Sequence, residues 1–333
     1  MASVYYAGNA LDTTTMDLLS NDIINKIVAQ EIEAKVFEDI FGIFTKKLIS
    51  EGMQIEEIET QNLTSSAFDP TGANALAKAS MDFKVLYHKI NRRKTFKTTV
   101  SNAQIKMSML NADNMAKVAN LITTELWNSS AIEDYEAMKQ LLVDICAEEK
   151  SMVICDLNGN FADMDAFTKA IQTLSDRFLL PSNKHNYSGY KKEFNKSKDE
   201  LVLIIDAPTK ARLNVDSLAM AFNMDKKELL GNIIVIDEMP TITYSSLTTS
   251  QVDSIGIGET NPILLHKYLA TGTDSVSGSA VAFLVSKRAI LRDPVEREVL
   301  DQPNAAGRFR NYYLHVTDVL SYSTLRNAVV FVD

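Results

Sequence analysis

The chain has 333 residues and a formal net charge of −9, and it is 46% hydrophobic and 23% charged. That size and composition fit one large domain or two ordinary ones around a substantial core. The acidic balance excludes a histone-like nucleic-acid coat, so any nucleic-acid contact has to be local. The two cysteines, Cys146 and Cys155, argue for a reducing compartment and against a disulfide framework. With four scattered histidines they make no zinc site. No apolar run approaches the roughly 20 residues of a membrane helix, and the start has no basic stretch leading into an apolar one, so neither membrane nor signal peptide is expected.

In chain order, residues 1–15 are small and polar and read as an extended arm. From Met16, Leu19, Ile23, Ile27, Ile32 and Val36 recur at helical spacing, followed by Phe37, Ile40, Phe41 and Phe44. This pattern predicts a helix capped by Asp17 or a preceding Thr, bending near Gly42 and ending by Gly52. Residues 53–101 hold two strand-like ends around a middle of Ser, Thr, Ala, Gly and Pro. In the second end Phe83, Val85 and Tyr87 alternate with polar neighbours, as in a half-exposed strand. The segment predicts a long hairpin with a loose tip, which a compact domain seldom keeps without a use for it.

A long helical stretch is predicted from about Asn111 to Glu149, with one stripe from Met115 to Leu126 and another from Ile132 to Ile145. Asn128, Ser129 and Ser130 lie between the stripes as a kink or a join. At about 1.5 Å per residue such an element exceeds about 50 Å, long for a globular enzyme. A strand at 151–155 and a helix at 163–179 follow, the helix with Met164, Phe167, Ile171, Leu174 and Phe178 on one face. Residues 184–200 read as a polar loop. Strands are predicted at 201–206, 233–237, 280–286 and 327–332, with a helix near Pro208–Phe222. The fold class is therefore α+β, without internal repeats.

Two strand ends invite an enzymatic reading. GNIIVIDEMP (residues 231–240) ends in Asp237 and Glu238, like the magnesium-holding strand of P-loop nucleotide hydrolases. That chemistry also needs a G-x-x-x-x-G-K-[ST] cradle, which the sequence lacks, and GIGET (256–260) has no lysine. Asp237 and Glu238 therefore read as a polar strand end, and Asp206 as a residue that caps or orients the next turn. His88 sits in a basic strand, His185 in a polar loop, His266 on an expected short helix and His315 among aromatics. None lies in a nucleophile motif, so each reads as a hydrogen-bonded packing residue and no catalytic group is assigned.

The densest charge feature is HKINRRKTFK (88–97), with Lys89, Arg92, Arg93, Lys94 and Lys97. It reads as a phosphate patch, a docking strip for an acidic surface, or a solvated strand end. Acidic complements stand at Glu51, Glu56, Glu57 and Glu59 in the first hairpin strand, and at Glu125, Glu133, Asp134 and Glu136 on the long helix. Pairing within the chain or between subunits is favoured over nucleic acid.

The order of parts is loose arm, long hairpin, long helix, then an α+β body closing on a strand. This layout resembles the major capsid protein of tailed bacteriophages, whose fold is shared with encapsulins. The closing stretch is similar to that family's ends, matching at Asn311, Tyr312, Tyr313, Leu314 and His315, then at Asn327, Ala328, Val329 and Phe331. ARLNVDSLAMAFNMDKKEL and FLVSKRAILRDP also read like family segments.

The resemblance implies an α+β phage major capsid (Hong Kong 97-like) fold. Its parts would be an N-terminal arm and helix (1–52), an extended hairpin (53–104), a spine helix opening a peripheral domain (105–155), an axial domain (156–279) and a return to the peripheral domain (280–333). It implies a non-enzymatic subunit without cofactor or metal, self-assembling into hexamers and pentamers of an icosahedral shell around double-stranded DNA. His315 would be structural, packed among Tyr313, Val316 and Leu320. The hairpin tip offers no obvious residue for a covalent crosslink. Implied partners are the chain itself, a portal, possible cement proteins and a separate scaffolding protein, the last because Met1 suggests that no scaffold segment was removed. Assembly would take place in the host bacterial cytoplasm, and the product is a virion. The candidate subunit-interface residues are Glu56, Glu57, Glu59, Lys89, Arg92, Arg93, Lys94 and Lys97. Alternatives are an encapsulin-type shell, another virion part such as a portal or tail protein, or a nucleotide-dependent enzyme using Asp237 and Glu238.

Overall fold

The computed structural model describes residues 37–50, 52–63, 65–68, 70–72, 78, 80–101, 112–147, 152–190, 193–217, 232–255 and 262–333. The expected arm, the helix from Met16 to Val36, most of the hairpin tip, the AMAFNMDKKEL segment and GIGET lie outside the described residues. The chain divides into two compact units: residues 1–39, 93–134 and 296–317 form one, and residues 40–92, 135–295 and 318–333 the other.

Three helices of the described residues are α1 (Ala112–Ala147), α2 (Met164–Phe178) and α3 (Ala207–Ser217). The twelve strands are β1 (Ile55–Thr60), β2 (Phe83–His88), β3 (Arg92–Ser101), β4 (Val153–Asp156), β5 (Leu201–Asp206), β6 (Asn232–Ile236), β7 (Thr243–Ser254), β8 (Leu264–Tyr268), β9 (Asp274–Ser286), β10 (Ile290–Asn304), β11 (Phe309–Tyr322) and β12 (Ala328–Val332). They form a ribbon β1-β2, a three-stranded sheet β10-β11-β3, and a seven-stranded sheet β12-β4-β8-β7-β9-β5-β6 that returns from β12 to β9.

The larger unit is built on the seven-stranded sheet. β5 is buried from Leu201 to Ile205. It pairs parallel with β6 and antiparallel with β9, so both its faces need apolar side chains. Strand alternation then divides the core. Val202, Ile204, Phe283, Val285 and Val330 face a cluster with Phe41, Phe44, Met138, Leu142 and Ile145. Leu201, Leu203, Ile205, Leu284 and Phe331 face the α2 stripe of Phe167, Ile171, Leu174 and Phe178. Asp163 caps α2, accepting from the amides of Asp165 and Ala166 at 3.0 and 3.3 Å. β12, buried throughout, pairs parallel with β4 and antiparallel with β9 and so ties the end of the described chain into the sheet. Gly278 (φ +145°) lies where Asp333 passes, and a Cβ there would stand 2.6 Å from the Asp333 carbonyl oxygen.

Several expectations need correction. The helix expected to run through Phe44 toward Gly52 is, from Phe37 on, a single 3-10 turn at Gly42–Phe44 followed by extended chain. Tertiary partners hold that extended backbone. The Lys46 amide donates to the Arg292 carbonyl at 2.9 Å, and Leu48 and Ile49 donate to buried Asp293 at 2.8 and 2.9 Å. His266 lies in β8, not on a helix. The 184–200 loop is polar but only partly solvated, since His185, Asn186, Ser188, Glu193 and Asn195 are buried. Its amide groups bond inside: Asn186 Nδ2 donates to Asn327 Oδ1 at 3.2 Å and Asn195 Nδ2 to Ser286 Oγ at 2.9 Å, while Asn195 Oδ1 is buried without a partner among the described residues.

In the smaller unit, Leu126, Leu314 and Val316 pack with Phe96, Ile122 and Tyr312. The Asn128–Ser130 triplet does not break α1, which runs continuously through it. Ser129 Oγ donates to the Glu125 carbonyl at 2.8 Å, within its own helix. Asn128 Oδ1 accepts from the Phe37 amide at 3.1 Å. Arg297 donates to Ser130 Oγ at 2.9 Å and to Asp134 at 3.1 Å. The polar triplet is thus a set of docking points, which explains why it stands in an otherwise amphipathic helix.

Candidate assembly surfaces

The expected hairpin exists. β1 and β2 pair antiparallel from Ile55 opposite His88 to Thr60 opposite Phe83. Its polarity is inverted. Phe83, Tyr87 and Ile58 are 62%, 60% and 55% exposed, whereas Glu59 and His88 on the other face are buried. Ile58 lies opposite Val85 and Thr60 opposite Phe83, so one side of the ribbon presents an apolar strip to solvent. Leu63 and Phe68 beyond β1, and Met81 just before β2, are exposed as well. Contact sites are commonly built from exposed apolar strips of this kind.

The inward face carries charge. Arg326 Nε donates to Glu57 Oε1 at 2.6 Å, and its Nη1 to Glu193 Oε2 at 2.7 Å. His88 lies 3.4 Å from Glu57 and 2.9 Å from the Ser321 hydroxyl. Burial alone would raise the Glu57 pKa, but hydrogen bonds from His88 and Ser323 and the Arg326 charge outweigh it and hold the carboxyl at about 2. Glu56, on the outer face, accepts from the Tyr87 hydroxyl at 3.0 Å.

The basic strip belongs mostly to β3 and takes partners other than β1. Arg92 donates to nearly buried Asp318 at 3.0 Å. Lys94 pairs with Glu133 of α1 at 3.0 Å, one of the acidic complements expected from sequence. Lys97 stands over the Tyr313 ring, 5.6 Å from its centroid. The reason for the repartnering is that β3 is a separate strand in the sheet with β11, so its register is set there. Of the eight candidate interface residues, Glu56, Lys89, Arg93, Lys94 and Lys97 are exposed, whereas Glu57, Glu59 and Arg92 are turned inward. Sequence reading missed Arg326, Glu193 and Asp318. The first two lie in a closing turn and a polar loop whose burial no local pattern signals.

His315 is partly exposed, stacked on Tyr313 at 6.1 Å and bonded to Thr95 Oγ1 at 3.0 Å. It stands on the strand face opposite Leu314 and Val316, so its expected packing against Val316 is not found. Burial, then the charge of Arg177, pushes His185 down to about 4. Buried His266 shares a hydrogen bond with Thr249 at 3.1 Å. Burial drives the Cys146 thiol up to about 12 and raises Cys155 further, so both sulfurs are poor nucleophiles. Asp206 Oδ1 accepts from the Thr209 amide at 2.9 Å, the capping role expected of it. Asp237 accepts from the Tyr135 hydroxyl and, at 3.0 Å, from Lys139. These two hydrogen bonds hold Asp237 at about 2 and commit its carboxylate to α1. No group of three or more His, Cys, Asp or Glu able to hold a metal occurs among the described residues.

An α+β chain of this layout, with a finished sheet core and an unfinished ribbon, is similar in fold to phage capsid proteins of known structure. It superposes with a TM-score of 0.65 at 10% identity on a chain in the capsid structure of Staphylococcus phage Andhra, over 92% of this chain and 87% of that one. For a chain in the structure of the head fiber and inner core protein gp22 of native bacteriophage P68, the TM-score is 0.64 at 13% identity, over 92% and 88%. Residues 6–332 match the model of the Phi29-like phage major capsid protein family, and the chain belongs to that family. The major capsid protein of Bacillus phage GA-1 is 25% identical over 331 residues, covering 98% of this chain and 62% of the relative. That of Bacillus phage PZA is 25% identical over 332 residues, covering 98% and 66%. That of Streptococcus phage Cp-1 is 22% identical over 320 residues, covering 92% and 80%. This chain thus spans about two thirds of the length of the Bacillus phage relatives it matches.

Proposed function

We propose that the protein is a structural subunit of an icosahedral phage shell, built from hexamers and pentamers that enclose double-stranded DNA in the virion. The carrying observation is the ribbon β1-β2, whose apolar side faces solvent while its charged side is moored to the body. A single chain gains nothing from that arrangement. A second copy covering Ile58, Phe83 and Tyr87 would bury the strip and repeat the contact around a ring. Many such weak contacts add up in a closed shell.

In this reading the fold is Hong Kong 97-like. α1 serves as the spine of a peripheral domain, the seven-stranded sheet as the core of an axial domain, and β1-β2 as the extended hairpin. The arm of residues 1–52, the hairpin of 53–104 and the part of 280–333 outside β9 and β12 complete that plan. The exposed members of the basic strip, Lys89, Arg93, Lys94 and Lys97, meet neighbouring subunits together with Glu56. Glu57, Glu59 and Arg92 hold the chain in shape for that contact. A separate scaffolding protein, a portal and cement proteins are the expected partners, DNA contact is weak and non-specific, and assembly takes place in the host cytoplasm. The family match favours this reading over an encapsulin-type compartment.

Negative-stain electron microscopy of the protein, expressed alone and with a scaffolding protein, tests the proposal. Closed shells, hexameric rings or tubes are expected, and enclosed DNA rather than enzyme cargo marks the phage form. Uniform monomers or dimers under every condition overturn it.

A further inference from the structure

The base of the β1-β2 ribbon buries a carboxylate that its neighbours leave without a hydrogen bond. Glu59 is 5% exposed, and neither of its carboxylate oxygens has a hydrogen-bond partner among the described residues. The groups around it are engaged elsewhere. Arg326 is shared by Glu57 and Glu193. Lys84, opposite Glu59 in the ladder, donates to the Ser188 carbonyl and stands over the Tyr190 ring at 5.1 Å. The Ser188 hydroxyl donates to Asn186 Oδ1 at 2.7 Å. Tyr190 donates to Asp82 at 2.7 Å, and His88 is bound by Glu57 and Ser321. The charges of Lys46 and Arg288 act on Glu57 and Glu193 respectively. The Arg326 guanidinium thus hydrogen-bonds Glu57 and Glu193, and Glu59 is the carboxylate left without a hydrogen bond among the described residues.

We propose that Glu59 is a protonation latch for the hairpin: neutral, it seats the ribbon against the 184–200 loop, and ionised, it repels Glu193 and loosens the ribbon. A buried carboxylate without donors is costly when charged and cheap when neutral. In agreement, burial and then the Glu193 charge raise Glu59 from 4.5 to about 7, against a smaller opposing pull from the Arg326 charge and the Ser188 hydroxyl. Its folded pKa lies above its unfolded value, so its contribution is fully present below about 4.5 and is lost as pH rises through about 7. Glu57 runs the other way, and its contribution fades only as pH falls from 4.5 toward about 2, whereas burial raises Glu193 as well, so Glu193 acts in the same direction as Glu59. The latch is a property of one chain and holds whether or not the shell reading does.

Hydrogen exchange of the full chain at pH 6 and pH 8, corrected for intrinsic rates, tests it. From an open-state value of 4.5 and a closed-state value of about 7, protection of the Ile55–Thr60 amides should drop about tenfold between the two pH values. The Leu201–Asp206 amides should not change in step. Glu59→Gln should keep the hairpin protected equally at both pH values, and Glu193→Gln should shrink the drop. A pH-independent wild-type hairpin, or a Glu59→Gln chain with the wild-type drop, overturns the proposal. Should Glu59→Gln fail to fold, the carboxyl titration of Glu59 by NMR in the wild type decides. A midpoint near 7 sustains the latch, and one near 4.5 ends it.

Discussion

The seven-stranded sheet and the β1-β2 ribbon belong to the same compact unit and obey opposite rules. In the sheet, apolar side chains on both faces of β5, β9 and β12 meet helices or neighbouring strands, and nothing is left over. In the ribbon the apolar residues Ile58, Phe83 and Tyr87 point to solvent, while Glu57, Glu59 and His88 point inward. The sheet is held by area removed from water, which needs no exact partner. The ribbon is held by a few charges around Arg326, which need exact ones. The contrast separates a part that is complete within one chain from a part whose apolar side one chain leaves in solvent.

The largest expected effect lies in the sheet. Phe283→Ala opens a cavity in a fully buried layer and should cost about 3–5 kcal/mol, read as a lower denaturant midpoint for the whole larger unit. A loss below about 1 kcal/mol would show that the sheet can collapse around the hole. Arg326→Ala comes next. It strips Glu57 and Glu193 of their cation and should cost about 3 kcal/mol, concentrated in hairpin protection by hydrogen exchange. Uniform loss across the sheet would erase the distinction between the two regions.

Arg92 and Arg93 sharpen it further, because adjacent residues on a strand face opposite ways. Arg92→Glu sets a carboxylate against nearly buried Asp318 and should lower stability by about 2–3 kcal/mol. Arg93→Glu, at an exposed position, should cost less than Arg92→Glu and act mainly on assembly. The double reversal confounds the two, so particle yield should be compared between the single variants. The smallest effect on the chain and the largest on the shell are expected for Phe83→Ser with Tyr87→Ser. Thermal unfolding should move little, since both rings are already exposed, while rings or shells fail to form. Normal assembly of this variant would remove the ribbon's apolar face from the interface.

Local pattern carried much of the fold. The α2 stripe at helical spacing, the apolar runs of β5 and β12, the long helix and the β1-β2 hairpin were all legible, because burial of one face or both imposes a period on the residues. The 184–200 loop was not legible. Its Asn and Ser side chains look solvated in sequence, yet Asn186, Ser188 and Asn195 are buried and bond Asn327, Ser286 and one another. β3 was hidden inside the basic strip for the same reason: the break near Asn91 is made by the exchange between Asn91 and Leu320, a residue far along the chain.

Of the candidate site, the residue types were visible but their roles were not. Alternation in FKVLYH marks two faces of a strand, and it does not say which face meets the body. The usual preference puts Phe83 and Tyr87 inside; the structure puts Glu57, Glu59 and His88 there, because Arg326 and Glu193 arrive from distant segments to receive them. Sequence alone therefore determined the periods of the long helix, α2, β5 and β12 and the kinship with phage capsid proteins, since these rest on neighbours a few residues apart. Only the tertiary structure decided which carboxylates are paired, which one is left without a donor, and which apolar face stays in water, since each depends on charges brought together from across the chain.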